Sequence, residues 1–457
     1  PAPSTPSFVY NVANSCRFND GDGANMNKAY GGSTDTNFTF SAWIKRGDLG
    51  NTEALFSHWN GSNDNNRFII YFEGDSLVAY HNSSDGNSND MYVKTTAVYR
   101  DPSAWYHFVV AIDTTQGTNS NRVKIYTNGV QQTALSQTTY PDQNYAVYAF
   151  DTSGTTYLGR NASGDSAPTK FFDGYMAEVC LIDGTTYAAS DFGEFNEDSP
   201  TIWKPKDPSG LTFGTNGTYL DFEDSGNLGD DESGNTNDLT ETNIVAADQA
   251  TDTCTNNFCT VNPLDQYGTY TLSEGNCQIT SGHTSWYTIG STMAVQNGKW
   301  YWEVEFDAGT MIEIFVGVHD TSVNRTDTNS WLTGSSLFYN DAGGEIRTDG
   351  TNSTADYGTL SAGDILGIAL NMDDKQITLY KNGSAIASNV ALSSSISEAM
   401  PTFLTDANDV IFKVNFGGCS AFDVSSGNAD DNGYGNFEYD VPTGYYALCT
   451  KNLAEFG

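Results

Sequence analysis

Two Asn-Gly pairs, each set between alternating apolar residues, restrict the local fold of this chain more than any other feature. They lie in "VKIYTNGVQQ" (123–132) and in "ITLYKNGSAIA" (377–387). Both central positions of a type I′ turn require a positive φ, which Asn and Gly adopt at low cost. Each pair therefore predicts a tight antiparallel hairpin, and together they indicate two β units in one chain.

Strand patterns separated by turn residues continue along most of the sequence. "NFTFSAWIKRG" (37–47) sets Phe38 and its alternate neighbours against Thr39 and its own, which predicts a half-buried strand. "RFIIYFEGDSLVAYHN" predicts two strands joined at Gly74-Asp75. Turn signals recur about every ten residues, which is typical of sandwiches. We therefore expect an all-β protein with two antiparallel β-sandwich domains in tandem.

The charge balance excludes some partners and leaves two interpretations of the acidity. The 457 residues include 20 Lys and Arg against 57 Asp and Glu, a net charge of -37. Such a surface repels phosphate backbones, so we expect no nucleic-acid partner. No apolar run approaches the ~18 residues that span a bilayer, so we expect no membrane insertion. The acidity serves either solubility in a salty medium, where charges are screened, or Ca²⁺ binding.

The motifs of the first half resemble a known family. "FTFSAWIKRG", "WYHFVVAID", "KIYTNGV" and "FFDGYMAEVCLIDG" follow in the order found in laminin-G-like, concanavalin A-like jelly-roll domains. The resemblance implies a two-sheet sandwich, which we assign to residues 1–202. Proteins of this family bind glycans or other proteins, and related domains often carry Ca²⁺.

The second half resembles a different family of similar architecture. "NGKWYWEVEFDAGTMIEIFVGVHD", "SAGDILGIALNMDDKQITLYKNGSAIA" and "MPTFLTDANDVIFKVNFGG" are similar to the SPRY (B30.2-type) domain. The resemblance implies a second sandwich, assigned to residues 285–420, that binds proteins through its loops. Residues 203–284 are then a connecting segment rich in Asp, Asn, Gly and Thr, and residues 421–457 a tail that docks on the second domain. The whole arrangement resembles structural or fibre-like proteins of marine bacteriophages.

Concanavalin-like sandwiches include glycoside hydrolases, so paired carboxylates are candidate catalytic groups. Glu303, Glu305 and Asp307 share one face of a predicted strand, but they do not form the Glu-x-Asp-x-x-Glu pattern of β-glucanases. Trp300 and Trp302 alternate with them. We expect the tryptophans to face the core and the carboxylates to face solvent, which leaves no assigned catalytic residue.

Two acidic stretches are candidate Ca²⁺ sites. Asp20 and Asp22 have the spacing of a calcium loop, although Ala24 occupies the third ligand position. The second stretch offers Asp230, Asp231 and Glu232. The alternatives are a Gly-rich turn in the first case and a solvated loop in the second. No cofactor is required by this interpretation, and Ca²⁺ is the candidate ion.

A long segment of the second domain, 321–358, is predicted to be a recognition loop. It holds the candidate ligand-binding residues Trp331, Tyr339, Arg347 and Tyr357. Exposed aromatic rings pack against sugar C–H faces, and Arg often anchors interfaces. The alternative is that Trp331 and Tyr339 close the end of the sandwich.

Binding without catalysis is therefore the predicted function. We expect a non-enzymatic structural protein on a virion surface or outside the cell, a fibre, appendage or decoration subunit. Its expected partners are other subunits of the same structure and a host glycan or protein, and self-association into a homo-oligomer stays open. The alternatives are a concanavalin-type glycoside hydrolase and a purely structural capsid or tail subunit.

Overall fold

A computed structural model of the chain describes residues 10–32, 36–59, 67–82, 89–152, 154–162, 170–307, 314–323, 335–340 and 343–457. In this part of the chain, the regular structure consists of strands, three single-turn 3₁₀ helices and two short α-helices, Ala189–Phe192 (α1) and Thr450–Phe456 (α2). The chain divides into two compact units, of which the first ends at Thr255 and the second is Asn256–Gly457. The predicted all-β class is confirmed.

The first unit is a sandwich of two eight-stranded antiparallel sheets. Sheet 1 has the order β10-β9-β8-β3-β13-β1-β18, with β16 also paired to β13, and sheet 2 has the order β11-β7-β6-β5-β4-β12-β2-β17, while β14 and β15 pair separately. The strands are β1 Ser15–Phe18, β2 Asn25–Lys28, β3 Asn37–Arg46, β4 Thr52–Trp59, β5 Arg67–Glu73, β6 Ser76–Asn82, β7 Asn89–Thr95, β8 Trp105–Asp113, β9 Val123–Thr127, β10 Val130–Gln131, β11 Leu135–Thr139, β12 Thr155–Leu158, β13 Gly174–Asp183, β14 Gly193–Phe195, β15 Trp203–Pro205, β16 Thr218–Leu220, β17 Thr240–Thr242 and β18 Gln249–Ala250.

The second unit also contains two sheets. Sheet 3 has the order β19-β22-β31-β24-β25-β26-β27, and sheet 4 has the order β20-β21-β32-β23-β28-β29-β30, with β33 paired to β23. The strands are β19 Val261–Gln266, β20 Tyr270–Ser273, β21 Gln278–Ser281, β22 Tyr287–Ser291, β23 Lys299–Phe306, β24 Ile314–Asp320, β25 Ser336–Asn340, β26 Glu345–Thr348, β27 Thr351–Asn352, β28 Ile365–Asn371, β29 Gln376–Lys381, β30 Ser384–Ala391, β31 Ala399–Thr405, β32 Ile411–Asn415 and β33 Tyr446–Ala447.

Both predicted Asn-Gly hairpins are present. Asn128 and Gly129 have φ values of 46° and 78°, and they join β9 to β10. Asn382 and Gly383 have φ values of 48° and 76°, and they join β29 to β30. Positive φ at both central positions is the geometry that the type I′ turn requires. The two units therefore use the same local device to form an edge hairpin.

The side-chain parity of β23 is as predicted, whereas the environment of its second face is not. Trp300 and Trp302 are fully buried in the core between sheets 3 and 4. Glu303, predicted to face solvent, is also fully buried. The reason is that a later part of the chain covers this face: β33 pairs in parallel with β23, and Phe437 packs edge-on against Tyr301 with 5.2 Å between ring centroids.

The first unit covers the outer face of one of its own sheets in a similar way. Strand β3 was predicted to be half-buried, but Thr39, Ser41 and Lys45 on its supposedly polar face are all buried. A second apolar cluster explains this, because Phe192, Phe213 and Tyr219, with other residues after β13, pack over the outer face of sheet 1. The alternation of polar and apolar residues therefore predicted correctly which side chains point to the core. It did not predict that other residues would bury the polar face.

The segment 203–284, predicted to connect two sandwiches, is divided between the units. Strands β15 to β18 belong to the first unit, where Asp252 accepts a hydrogen bond from the buried Lys45 Nζ at 2.7 Å. Strands β19 to β21 belong to the second unit. Neither α-helix in the described ranges has the length and apolarity needed to cross a membrane.

Candidate functional site

The predicted recognition loop of the second domain contains regular structure. Within 321–358, strands β25, β26 and β27 extend sheet 3, so the prediction of one long loop is wrong for residues 336–340, 345–348 and 351–352. The sequence signal was "SLFYN", a short apolar run that the surrounding Gly, Asn and Thr residues obscured. Trp331 lies outside the described residues.

The remaining predicted binding residues have different environments. Tyr339 is only 1 % exposed and packs in the core, where its hydroxyl donates a hydrogen bond to the Gly358 carbonyl. Arg347 is partly exposed, and its guanidinium carbon lies 4.8 Å from the centre of the Phe315 ring. Tyr357 is partly exposed and packs at the margin of the core. Arg347 and Tyr357 thus remain accessible, while Tyr339 has the core position that was the alternative.

Arg347 belongs to an aromatic surface on the outer side of sheet 3. Phe315 contacts Phe338 at 6.4 Å and the partly exposed Trp286 at 5.2 Å, measured between ring centroids. Phe338 is the register partner of Arg347. A cation beside aromatic faces is stabilised by the ring quadrupoles.

The first candidate Ca²⁺ stretch borders a pocket of about 280 Å³. Asp20 and Asp48 both line this pocket, and burial together with the charge of Asp48 raises the pKa of Asp20. Asp22 accepts a hydrogen bond from the Asn19 amide at 2.9 Å. Ca²⁺ takes six to eight oxygen ligands. The described residues do not form a group of three or more His, Cys, Asp or Glu side chains that could hold a metal.

In the second stretch, the three candidate carboxylates are used differently. Asp231 is buried and accepts hydrogen bonds from the backbone N–H groups of Tyr219, at 2.9 Å, and Asn237, at 2.7 Å, so it organises the loop. Asp230 is partly exposed and Glu232 is exposed. Burial and neighbouring Asp residues raise the pKa of Asp230, and the charge of Asp221, followed by burial, raises that of Glu232. This mutual repulsion is what a bound cation would relieve.

Glu303 holds the polypeptide that covers β23. Its Oε2 accepts the backbone N–H of Glu438 and its Oε1 that of Tyr439, both at 2.9 Å, and the Tyr301 hydroxyl donates to Oε1 at 3.1 Å. Burial raises the pKa of Glu303 to about 7, against the lowering effect of the two N–H groups. Further along the strand, Lys413 Nζ lies 3.4 Å from Glu305 Oε1 and 2.7 Å from Asp307 Oδ2.

A Ser–His pair lies on the outer face of sheet 1, beneath the residues after β13 that pack over it. His107 Nε2 is 2.9 Å from Ser41 Oγ, and the Trp203 indole donates to His107 Nδ1 at 3.0 Å. An indole N–H can only donate, so Nδ1 is the acceptor and the neutral ring carries its proton on Nε2. Burial lowers the pKa of His107 to about 3 and keeps the ring neutral. His107 therefore donates to Ser41 and does not act as a base toward it.

Glu178 lies near this pair, where the packing leaves no room for a water molecule. It sits at the bulge of β13 with a φ of 51°, and its Oε2 accepts hydrogen bonds from the hydroxyls of Tyr219, at 2.8 Å, and Tyr10, at 3.0 Å. Burial raises the pKa of Glu178 to about 8. The sequence offered no signal for this carboxyl because its partners are far away along the chain.

Comparison with known families agrees with both halves of the architecture. Residues 19–189 match the family model of the concanavalin A-like lectin/glucanases superfamily, and residues 299–418 match that of the SPRY domain. The chain thus carries a concanavalin A-like domain and a SPRY domain in tandem. Curated protein sequences give no significant match.

Solved structures show partial similarity to this chain. The SPRY domain of human HERC1 is 18 % identical, with 35 % of this chain and 98 % of that chain covered and a TM-score of 0.30. The TRIM65 PSpry domain is 16 % identical, with 34 % and 91 % covered and a TM-score of 0.28. A heptameric SAP-like pentraxin from Limulus polyphemus is 17 % identical, with 39 % and 80 % covered and a TM-score of 0.29.

Proposed function

We propose that this protein is a non-enzymatic binding protein of a virion surface or other extracellular structure, in which the two sandwiches present surfaces to a glycan or protein. The concanavalin A-like and SPRY domains both fit a carbohydrate- or protein-binding role. The acidic surface suits a salty medium. The resemblance of the whole arrangement to phage fibre-like proteins supports a place among fibre, appendage or decoration subunits.

The observation that carries the non-enzymatic part is how the candidate catalytic groups are bonded. The two oxygens of Glu303 accept hydrogen bonds from the backbone of residues 438 and 439, and Lys413 forms ion pairs with Glu305 and Asp307. A retaining glycosidase needs two carboxyl groups about 5 Å apart and open to the substrate. The buried Ser41–His107 pair has its proton on the wrong nitrogen for nucleophile activation.

A simultaneous assay of binding and cleavage distinguishes the proposed binding protein from a hydrolase. The whole protein is applied to an array of neutral and acidic oligosaccharides and to host cells, and the same ligands are examined for newly formed reducing ends. We expect retention without cleavage. Release of reducing ends that Glu303→Gln abolishes would identify a hydrolase and refute the proposal.

Within the second domain, the proposal assigns attachment to the surface around Arg347. Trp331→Ala and Arg347→Ala should each weaken attachment to the host surface by about 2 kcal/mol, roughly 30-fold, with little change in melting temperature. A Tyr339→Phe variant, which removes a buried hydroxyl, is the contrast: it should lower stability and leave attachment unchanged. Immunogold electron microscopy of intact particles tests the location, and absence of label from virions would remove the virion part of the proposal.

A further inference from the structure

The outer face of sheet 2 concentrates positive charge in a strongly acidic protein. The register of β5, β6 and β7 places Tyr80 opposite Tyr92 and beside Ile69, on the side of the sheet away from the core. Arg160 and Lys170, which follow β12 in the sequence, place two more cations at the margin of the same face. We name this surface the tyrosine–cation face; its members are Arg67, Tyr71, Tyr80, Tyr92, Lys94, Tyr157, Arg160 and Lys170.

Each cation of the face lies against a tyrosine ring or a carboxylate. The guanidinium of Arg160 is 4.1 Å from the Tyr157 ring centre, and Lys170 Nζ is 5.8 Å from that of Tyr71. The guanidinium of Arg67 is 5.9 Å from the Tyr80 ring centre. These contacts hold the cationic groups in place without neutralising their charge.

Of the four cations of the face, only Lys94 forms an ion pair with a described carboxylate. Two carboxylates lie on the described parts of β5 and β7: Glu73 accepts from Lys94 Nζ at 2.6 Å and from the Tyr92 hydroxyl at 2.7 Å, and Asp90 accepts from the Tyr145 hydroxyl at 3.2 Å. Among the residues that the structure describes, no carboxylate forms an ion pair with Arg67 or Lys170, or with Arg160 at the margin. Burial, followed by the like charge of Arg67, lowers the pKa of Lys170, and the charge of Glu73 acts in the opposite direction.

Several side chains of the face are exposed or partly exposed. Lys170 is exposed, and Arg67, Tyr80, Tyr92 and Arg160 are partly exposed. The outer face of sheet 1, by contrast, lies beneath Phe192, Phe213 and Tyr219 with their neighbours. Three cations that form no ion pair with a described carboxylate, in a chain with 20 basic and 57 acidic residues, favour a negatively charged ligand.

We propose that the tyrosine–cation face binds an acidic polysaccharide, whose carboxylate or sulfate groups contact the unpaired cations while its sugar rings pack on the tyrosines. The proposal rests on the binding function proposed above and assigns it a ligand class. Charge-assisted hydrogen bonds to carboxylate or sulfate are the strong ones, and aromatic rings suit the C–H faces of sugars. At physiological salt the Debye length is ~8 Å, so distant carboxylates of the protein are screened while the cations at contact distance are not.

The test uses matched polymers that differ only in charge. Dextran and dextran sulfate share one backbone, as do methyl-esterified and free polygalacturonate, so the pairs also distinguish sulfate from carboxylate as the source of the anion. Titration calorimetry on the whole protein should detect binding to at least one charged member and at least tenfold weaker binding to its neutral counterpart. Equal affinity for charged and neutral partners would overturn the proposal, as would tighter binding of a single-stranded DNA oligonucleotide.

Variants that reverse or remove single charges of the face then locate the site. Lys170→Glu, alone and with Arg67→Gln, should weaken binding of the charged polymer by about tenfold or more, because each loses a charge-assisted contact. Lys124→Glu, on β9 of sheet 1, makes the same change of charge and should alter the affinity less than about twofold. Melting temperatures show whether each variant is folded. If the double variant is unfolded, the affinity of Lys170→Glu alone tests the proposal.

The possible outcomes distinguish the assignment of the ligand to the tyrosine–cation face from the broader proposal that the protein is a binding protein. Glycan binding that Lys170→Glu leaves intact, or that Lys124→Glu weakens equally, would overturn the assignment to this face and leave a binding protein. No binding to any polymer, to the oligosaccharide array or to host cells would refute the proposed function itself.

Discussion

Replacing Glu303 with Gln should change the pH dependence of stability in the second domain. Glu303 is fully buried and its pKa is raised from an ordinary 4.5 to about 7, chiefly by burial. A carboxyl with a raised folded-state pKa contributes stability that is fully present below its unfolded pKa and is lost as the pH rises through the folded value. Linkage with these two values gives a loss of about 2.5 kcal/mol between pH 5 and pH 8. Glu303→Gln carries no titrating group, so this loss should be absent.

Urea unfolding at pH 5, 6, 7 and 8, followed by tryptophan fluorescence, to which the buried Trp300 and Trp302 contribute, measures the effect. The free energy of unfolding of the wild type minus that of Glu303→Gln should fall by about 2.5 kcal/mol over this range. Hydrogen exchange at the Glu438 and Tyr439 amides should accelerate in the variant at every pH, because one acceptor oxygen becomes an NH₂ group. A difference between the two proteins that stays constant from pH 5 to pH 8 would refute the reasoning.

Three further predictions concern the first domain. Arg46→Met leaves the buried Glu53 and Asp75 without their shared cation and should lower the free energy of unfolding by about 3–5 kcal/mol in denaturant titrations; a loss below about 1 kcal/mol would contradict it. Gly129→Ala and Gly50→Ala both place a methyl group at a positive φ, of 78° and 82°, but only the first would come within 2.3 Å of the Trp203 ring, so it should lower the melting temperature clearly more; equal effects would show that packing there is loose. Millimolar Ca²⁺ should raise the melting temperature by a few degrees relative to chelator, and Asp20→Asn should reduce that rise; identical curves would leave the acidity as a solubility feature.

Local signals in the sequence determined the parts of the fold that were predictable. An Asn-Gly turn needs only its own two φ values, so residues 128–129 and 382–383 form hairpins wherever the strands lie. The parity of Trp300 and Trp302 follows from the pleat of a single strand. These features depend on neighbours within a few positions, which is why sequence patterns reveal them.

Whether a polar face stays in water depends on distant residues, and there the prediction failed. Glu303 looked solvated because its covering segment lies 135 residues further along the chain. Ser41 and Lys45 were predicted to be solvated for the same reason: an apolar cluster with residues after β13 lies over the face of Ser41, and the buried Asp252 pairs with Lys45. The tyrosine–cation face escaped notice because its cations come from β5, β7 and the segment after β12, which approach each other only in the folded sheet.

The parallel pairing of β33 with β23 has a consequence for the order of events on the ribosome. Glu303 and the amides that it binds are separated by 135 residues, and translation proceeds at about 5–20 residues per second. Ala369 precedes Ala447 by 78 residues, so for about 4–16 seconds the nascent second domain presents Tyr301 and Ala369 to water, with one edge of β23 open where β33 later pairs. An uncovered apolar face beside an open strand edge invites pairing with another nascent chain. The acidic composition, by repelling neighbouring copies during that interval, protects the protein before its fold is able to.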